Sequence, residues 1–291
     1  MSFYFTIATD RAVEPEDVLA ELGRPEVRFH QPGPEMTVFY IPGESLRGVV
    51  VGLAPPSVSV GINAFTPMAD AALGRQIAAA IGRFLGVAVE PEDSETALPP
   101  EDIAQYGGDA WLAARLAEAT MVLGPLSRMA EGDTMRIEGY LYPFSITKDM
   151  FDTEHDKRDQ SVQDVMQKNV ALQAYAERED IFVPSVMTVT PKTAPKRSWL
   201  DRLTGKPAVP VQPFDIFFLG VGVHCLTPLL GTGKPGYVGL RDAQKVLWRL
   251  PIASFGEFAQ QAALPMHGPG IWEITLDEAE NATLMRRAER M

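Results

Sequence analysis

The chain has 291 residues, of which 46% are apolar and 22% are charged, and it carries a formal net charge of −12 at pH 7. This composition is typical of a folded globular protein and excludes collagen-like and disordered chains, while the negative charge opposes nonspecific binding to nucleic acid. No apolar run approaches the ~20 residues of a membrane helix, and a strand pattern stands where a signal peptide would, so we expect a cytoplasmic protein that does not bind membranes.

Two features of the composition limit the cofactors and partners that this chain could bind. Cys225 is the single cysteine, which excludes an internal disulfide, and the four histidines are too scattered for a zinc site of the usual kind. We therefore expect no cofactor. The acidity is also uneven: residues 1–150 contain 21 Asp and Glu against 10 Lys and Arg, whereas residues 151–291 contain 17 against 16. Such a first half would suit a basic protein partner.

The first half of the chain predicts a sheet covered by helices. Apolar residues that alternate with polar ones, or that form a continuous run at 48–53, predict strands at residues 3–8, 27–30, 36–41, 48–53, 57–64 and 135–142. Helices are predicted at residues 15–22, 67–85 and 109–123. Thr66 and Pro67 are typical of a helix N-terminus, and Gly86 is typical of a left-handed C-terminal cap. The acidic stretch 90–102 has no periodicity and is predicted to be a solvated loop.

The second half is less regular. We predict helices at residues 161–178, 254–264 and 277–291, and strands at residues 181–190, 214–226 and 270–276. Ser254 and Asp277 are the predicted N-caps of the last two helices. Pro184 indicates an edge position for the first of these strands. Residues 242–250 fit either a helix or a strand. Together the patterns predict an α+β fold of two lobes, each a mainly antiparallel sheet covered by helices, at residues 1–146 and 147–291, with a basic, proline-rich loop at 191–213.

Two stretches resemble functional motifs but lack the structural context that those motifs need. The glycines at 220 and 222 lie inside an apolar run rather than at a strand-to-helix turn, which excludes a dinucleotide-binding fingerprint. Adjacent strand residues point to opposite faces, so His224 cannot activate the Cys225 thiol unless the strand is bulged. We expect Cys225 to be a buried structural residue.

One charge cluster has the composition of a metal or acid–base site. Its candidate ligands, which lie within eight residues, are Asp152, Glu154, His155, Asp156 and Asp159. Oxygen donors beside an imidazole could bind a divalent cation. Lys157 and Arg158 lie in the same cluster, however, and a solvated charge run is the simpler interpretation.

Two segments are candidates for binding a protein partner. The acidic stretch contributes Glu90, Glu92, Asp93 and Glu95, which could meet a basic surface. The proline-rich loop contributes Trp199, Leu200 and Leu203, which could form an exposed docking element. Alternatively, the acidic stretch is only solvated, and Trp199 packs back on the body of the protein.

The first half also carries a resemblance. The strand at residues 3–7, the hairpin at 48–65, the helix ending at Gly86 and the stretch 139–144 together resemble uncharacterised bacterial proteins that accompany toxin and secretion genes. The resemblance covers about half the chain and contains no catalytic signature. It implies a non-enzymatic cytoplasmic protein that binds another protein, such as an immunity protein that blocks a toxin or effector. The alternatives are a metal-dependent hydrolase using residues 152–159 and a scaffold subunit of a larger assembly.

Overall fold

The computed structural model describes residues 2–130, 133–151, 157–190, 212–230 and 234–291. The chain forms two compact units, Met1–Glu177 and Arg178–Met291, and both combine helices with mainly antiparallel sheets. The predicted α+β class is therefore confirmed. The boundary that we predicted at residue 146 falls inside the first unit, because the following helix packs there through buried Gln173.

The first unit contains a six-stranded antiparallel sheet with strand order β2-β3-β4-β5-β1-β6. Its strands are β1 (Phe3–Ala8), β2 (Arg28–Gly33), β3 (Met36–Tyr40), β4 (Val49–Gly52), β5 (Ser57–Ile62) and β6 (Glu90–Pro91). The predicted hairpin is present, since β4 pairs antiparallel with β5. A further pair consists of β7 (Met135–Ile137) and β8 (Phe144–Ile146). The helices are α1 (Pro15–Leu22), α2 (Met68–Leu85), α3 (Pro100–Ile103), α4 (Gly108–Ala119), α5 (Leu123–Ser127) and α6 (Arg158–Ala176).

The main core lies between the sheet and helix α2. The β1 side chains alternate between buried and exposed, and the buried set packs against α2 residues such as Leu73, Ile77 and Ile81. Gly74 permits this close packing, since a Cβ there would lie 2.5 Å from Ile62 Cγ1. The predicted left-handed cap at Gly86 is confirmed, with φ of 71°. The N-cap is Pro67 rather than the predicted Thr66, one residue later than we predicted.

A buried carboxylate ties helix α2 to the start of β4. Asp70, in the first turn of α2, accepts the backbone N–H groups of Leu46, Arg47 and Gly48 at 3.0, 3.0 and 3.1 Å on a single oxygen. Burial raises the pKa of the Asp70 carboxyl, although these donors offset part of the effect. Three consecutive donors satisfied by one side chain fix the loop that precedes the hairpin.

A second polar tie holds helix α6 in the first unit. Gln173 is fully buried; its Oε1 accepts the N–H groups of Leu141 and Tyr142, and its Nε2 donates to the Tyr142 carbonyl. These bonds explain why the predicted strand 135–142 is wrong beyond Ile137. The backbone of residues 141–142 pairs with a side chain instead of with a neighbouring strand.

The predicted helix 109–123 was also incomplete. Gly124 and Pro125 do not end the helical path, because a 3₁₀ turn at Thr120–Val122 leads directly into α5.

The second unit contains two sheets. A five-stranded sheet has the order β16-β13-β12-β10-β9, in which only the β10–β12 pair is parallel, and a three-stranded antiparallel sheet has the order β11-β15-β14. The strands are β9 (Met187–Val189), β10 (Phe214–Phe218), β11 (His224–Leu226), β12 (Gly236–Arg241), β13 (Leu247–Pro251), β14 (Met266–Gly268), β15 (Ile271–Thr275) and β16 (Glu289–Arg290). Helices α7 (Ile252–Gln261) and α8 (Glu278–Met285) complete the unit.

Four predictions for this unit need correction. The strand predicted at residues 181–190 is confined to β9, Met187–Val189. The apolar run 214–226 is not one strand, because a turn with Gly222 at φ 74° divides it between the two sheets. Helix α7 begins two residues before the predicted Ser254 cap, after Pro251. The final helix ends at Met285, and the chain then pairs with β13 as β16. Its predicted cap is confirmed, since Asp277 Oδ1 accepts Glu280 N at 2.7 Å.

The described helices include none that is long and apolar enough to cross a bilayer.

Candidate functional site: an apolar groove and a His–Glu–His cluster

The predicted metal cluster lies mostly outside the described residues, which is the case for Asp152, Glu154, His155 and Asp156. Asp159 is described: it lies in the first turn of α6, is exposed, and approaches Arg158 Nε at 3.9 Å. Within the described ranges, no group of three or more His, Cys, Asp and Glu side chains is arranged to hold a metal ion. The described residues therefore lend no support to the metal-dependent hydrolase.

The predicted docking residues of the proline-rich loop, Trp199, Leu200 and Leu203, also lie outside the described residues. The acidic stretch is described, and parts of it pair with β1 or form side-chain hydrogen bonds, which a solvated loop would not do. Glu90 belongs to edge strand β6, which pairs with β1. Glu92 Oε2 accepts Tyr4 N at 2.9 Å, and Asp93 Oδ1 accepts the Tyr106 hydroxyl at 2.7 Å.

These bonds divide the acidic candidates into two classes. The carboxylates of Glu92 and Asp93 hold the edge of the sheet, whereas those of Glu90 and Glu95 are exposed and bond to no other described residue. Burial, and then the hydrogen bond to Asp93, raise the pKa of Tyr106 to about 12. Only the second class can meet a partner without loss of an internal bond.

A cleft of about 490 Å³ lies in the first unit. The described residues that line it are Leu123, Leu126, Ser127, Lys148, Asp149, Phe151 and Arg158. Its one described carboxylate, Asp149, has a lowered pKa because the Thr147 side chain hydrogen-bonds to it. Among the described lining residues, one ionised carboxylate beside the cations Lys148 and Arg158 is a poor basis for acid–base catalysis, because no second carboxyl or imidazole is there to act as the acid.

The second unit brings together three titratable side chains that are distant in sequence. We call His224, Glu273 and His267 the His–Glu–His cluster: Glu273 Oε1 lies 2.7 Å from His224 Nε2, and Oε2 lies 2.9 Å from His267 Nε2. Strand β15 supplies the carboxylate, and its neighbours β11 and β14 supply one imidazole each. All three side chains are 22–32% exposed, so the cluster lies at the surface.

A carboxylate that orients an imidazole is an arrangement used for general-base catalysis, but a base needs a substrate group to act upon. The adjacent Cys225 does not serve, because its side chain is 1% exposed and its thiol lies 3.4 Å from the Val223 carbonyl. Burial raises the pKa of the Cys225 thiol, which disfavours the thiolate. The predicted structural role of Cys225 fits this geometry.

An apolar groove of about 370 Å³ runs beside edge strand β9 in the same unit. Its lining residues, which define the groove here, are Phe182, Pro184, Ser185, Met187, Phe218, Leu219, Gly220 and Arg241. Phe182 and Met187 are 53% and 47% exposed, which is unusual for side chains of this size. The groove contacts the His–Glu–His cluster at strand β11. The backbone N–H of the groove residue Phe182 donates to the carbonyl of the cluster residue His224 at 2.9 Å.

Neither feature was predicted from the sequence. The three cluster residues come from three strands, and the groove comes from two segments separated by thirty residues and from the end of β12. One signal was available for the groove: Pro184 predicted an edge strand, and β9 does lie at the edge of its sheet.

No family model, curated protein or solved structure matches this chain.

Proposed function

We propose that this chain is a non-enzymatic cytoplasmic binding protein of bacterial origin, of the immunity or inhibitor kind, which occludes a basic toxin or effector. It binds the partner with the exposed carboxylates of the first unit. The observation that carries this proposal is the segregation of charge between the two units.

The first unit contains 27 Asp and Glu against 13 Lys and Arg, a net charge of −14, whereas the second unit contains 11 against 13, a net charge of +2. Solubility depends on the net charge of the whole chain and does not require that the negative charge be concentrated in one unit. A charged surface of one sign raises the rate of encounter with an oppositely charged partner by 10- to 1,000-fold at low salt.

The acidic edge at β6 is the best-defined part of this surface. Residues 90–102 contain six acidic residues and no Lys or Arg. Glu90, Glu95 and Glu101 are exposed, and they make no ion pair or side-chain hydrogen bond with the described residues. Their charge is therefore not neutralised locally and remains available to a partner.

The experiment captures partners from lysate of the source cells with the tagged full chain, and then measures association rates for the purified partner. The test variant reverses Glu90, Glu95 and Glu101 to Lys, and leaves Glu92 and Asp93 in place because they bond internally. The control reverses Glu179, Glu257 and Glu278, which are exposed in the second unit, so that both variants change the net charge by +6.

We expect the test variant to associate about 10-fold more slowly than the control at low salt, and the difference to shrink as salt screens the charges. The captured protein should also lose its own activity when bound. Equal effects of both triple variants, or a captured protein whose activity is unchanged by binding, would refute the proposal.

A further inference from the structure

The apolar groove of the second unit has three properties that a docking surface requires. The first is an apolar floor, which the packing of strands β10 and β12 creates. Phe218 pairs with Gly239, and a Cβ at that glycine would lie 2.4 Å from Phe218 Cδ1. Because glycine leaves this space, the Phe218 ring can lie across strand β12.

The groove walls follow from the strand register. Met187 pairs with Ile216, two residues before Phe218, and Arg241 lies two residues after Gly239. Residues that pair across strands, and residues two apart along a strand, share a face of the sheet. Met187, Phe218 and Arg241 therefore lie on one face, with Phe182 and Pro184 beside them.

The second property is unused backbone. Residues 183–186 lead from Phe182 into edge strand β9. Their C=O groups, and the N–H groups of Val183, Ser185 and Val186, form no hydrogen bond with another described residue, while Pro184 has no N–H to donate. Beyond β9, the described strands supply no further neighbour at this edge of the sheet. Free main-chain groups beside an apolar groove are the features that extended peptides use when they bind a sheet edge.

The third property is charge. Arg241 is exposed and is the only ionisable residue among the described residues that line the groove. Its guanidinium has no ion-pair partner within the described ranges. A cation at the rim of an apolar groove selects a carboxylate beside an apolar side chain, because it can form a charge-assisted hydrogen bond with that carboxylate.

We infer that this groove binds an extended segment of a protein partner, which places a bulky apolar side chain over Phe218 and an Asp or Glu side chain at Arg241. The backbone of the segment pairs with the free groups of residues 183–186. Because a docking segment presupposes a protein partner, the role of the groove rests on the function proposed above.

The test uses a library of random ten-residue peptides displayed on phage, selected on the full immobilised chain. We expect enrichment of peptides that carry an aromatic or aliphatic residue near an Asp or Glu. The variant Arg241→Glu should change this preference to Lys or Arg, which a merely structural role of Arg241 would not do. The control is Arg287→Glu, since Arg287 is exposed in the same unit and is remote from the groove in the sequence.

A second variant tests the apolar wall. Met187→Asp should weaken binding of a synthetic copy of the best enriched peptide about 10-fold or more, as measured by fluorescence anisotropy. Both groove variants replace exposed side chains, so we expect their thermal unfolding to match that of the control.

The absence of enrichment, or enrichment with the same preference on the Arg241→Glu variant, would overturn the inference. So would a concentration-dependent dimer that Met187→Asp dissociates, since the groove would then be filled by a second copy of the chain. A captured partner that depends on the carboxylates of the first unit but binds the groove variants normally would refute the groove alone. Loss of the charge effect with retained peptide selection would refute only the function proposed above.

Discussion

The rings of Tyr40 and Tyr140 stack with centroids 4.1 Å apart and planes inclined by 15°, and both hydroxyls donate to the carboxylate of Glu177. Tyr40 lies in β3 on the face of the sheet opposite the main core, because its neighbour Phe39 belongs to that core. Glu177 follows the last turn of α6, where the helix dipole disfavours a negative charge. The two hydroxyls and Arg28, whose Nη1 lies 2.8 Å from Glu177 Oε1, compensate for this position.

We expect Glu177→Ala to lower the free energy of unfolding by about 2 kcal/mol, since hydrogen bonds to a charged group contribute about 1.5–3 kcal/mol. The control Glu179→Ala removes an exposed carboxylate two residues away and should stay within about 0.5 kcal/mol of the wild type. Urea denaturation of both variants measures the difference. Equal stabilities would show that the tyrosine pair does not depend on Glu177.

The same pair predicts a change of stability at alkaline pH. Burial, and then the charge of Glu177, raise the pKa of Tyr40 from 10.0 to about 12. Between these values the folded chain retains a proton that the unfolded chain releases, so the free energy of unfolding falls as pH rises. We expect Tyr40→Phe to remove this component, and tyrosinate absorbance to show delayed ionisation in the folded wild type. Ionisation of Tyr40 near pH 10 in the folded protein would contradict this prediction.

The carboxylate of Asp70 is the only described acceptor of three buried or half-buried N–H groups on the loop before β4. Replacement by Ala leaves these donors without a partner, at about 1–3 kcal/mol each, so we expect Asp70→Ala to lower the free energy of unfolding by more than about 3 kcal/mol. Asp70→Asn keeps a carbonyl acceptor and should lose less. The exposed control Asp10→Ala should be neutral in the same denaturation experiment.

Asp70 also predicts a change of stability at acidic pH. Its folded pKa is raised above the ordinary value of 3.8, so the folded chain binds this proton more tightly than the unfolded chain does. The contribution of Asp70 to stability therefore falls as pH rises from below 3.8 through its folded pKa. We expect the stability difference between wild type and Asp70→Asn to decrease in that direction. An increase would mean that the three donors outweigh burial.

Among uncharged residues of α6, we expect substitution of Gln173 to lower the free energy of unfolding most. Gln173→Leu has a similar volume but removes the acceptor of the N–H groups of Leu141 and Tyr142 and the donor to the Tyr142 carbonyl. We expect a loss of about 3 kcal/mol in the free energy of unfolding. Gln167→Leu, on the exposed face of the same helix, is the matched control. Similar stability of the two variants would show that water replaces the amide.

Local signals in the sequence were sufficient for several elements. The apolar run at residues 48–53 and the alternation of residues 57–62 predicted the strands of the β4–β5 hairpin, and Gly86 and Asp277 were correctly predicted as helix caps. These signals succeed because a strand period, a left-handed glycine and a capping carboxylate act over a few residues.

Prediction from the sequence failed where a distant side chain, rather than a neighbouring strand or water, binds the segment. Residues 138–142 alternate like a strand, yet Gln173 binds their backbone from a helix thirty residues away. The acidic stretch reads as solvated, yet Glu92 and Asp93 hold Tyr4 and Tyr106. Neither bond could be inferred from periodicity, because the partners are separated by up to 88 residues.

The sequence by itself determined the α+β class, the lone buried cysteine and the uneven distribution of charge, since these follow from composition and short-range pattern. The tertiary structure alone decided which carboxylates are free, that His224, Glu273 and His267 meet, and that Arg241 lies at the rim of an apolar groove. The physical reason is that hydrogen bonds and grooves depend on distances of a few ångströms between strands, and strand order is set by the packing of the whole unit.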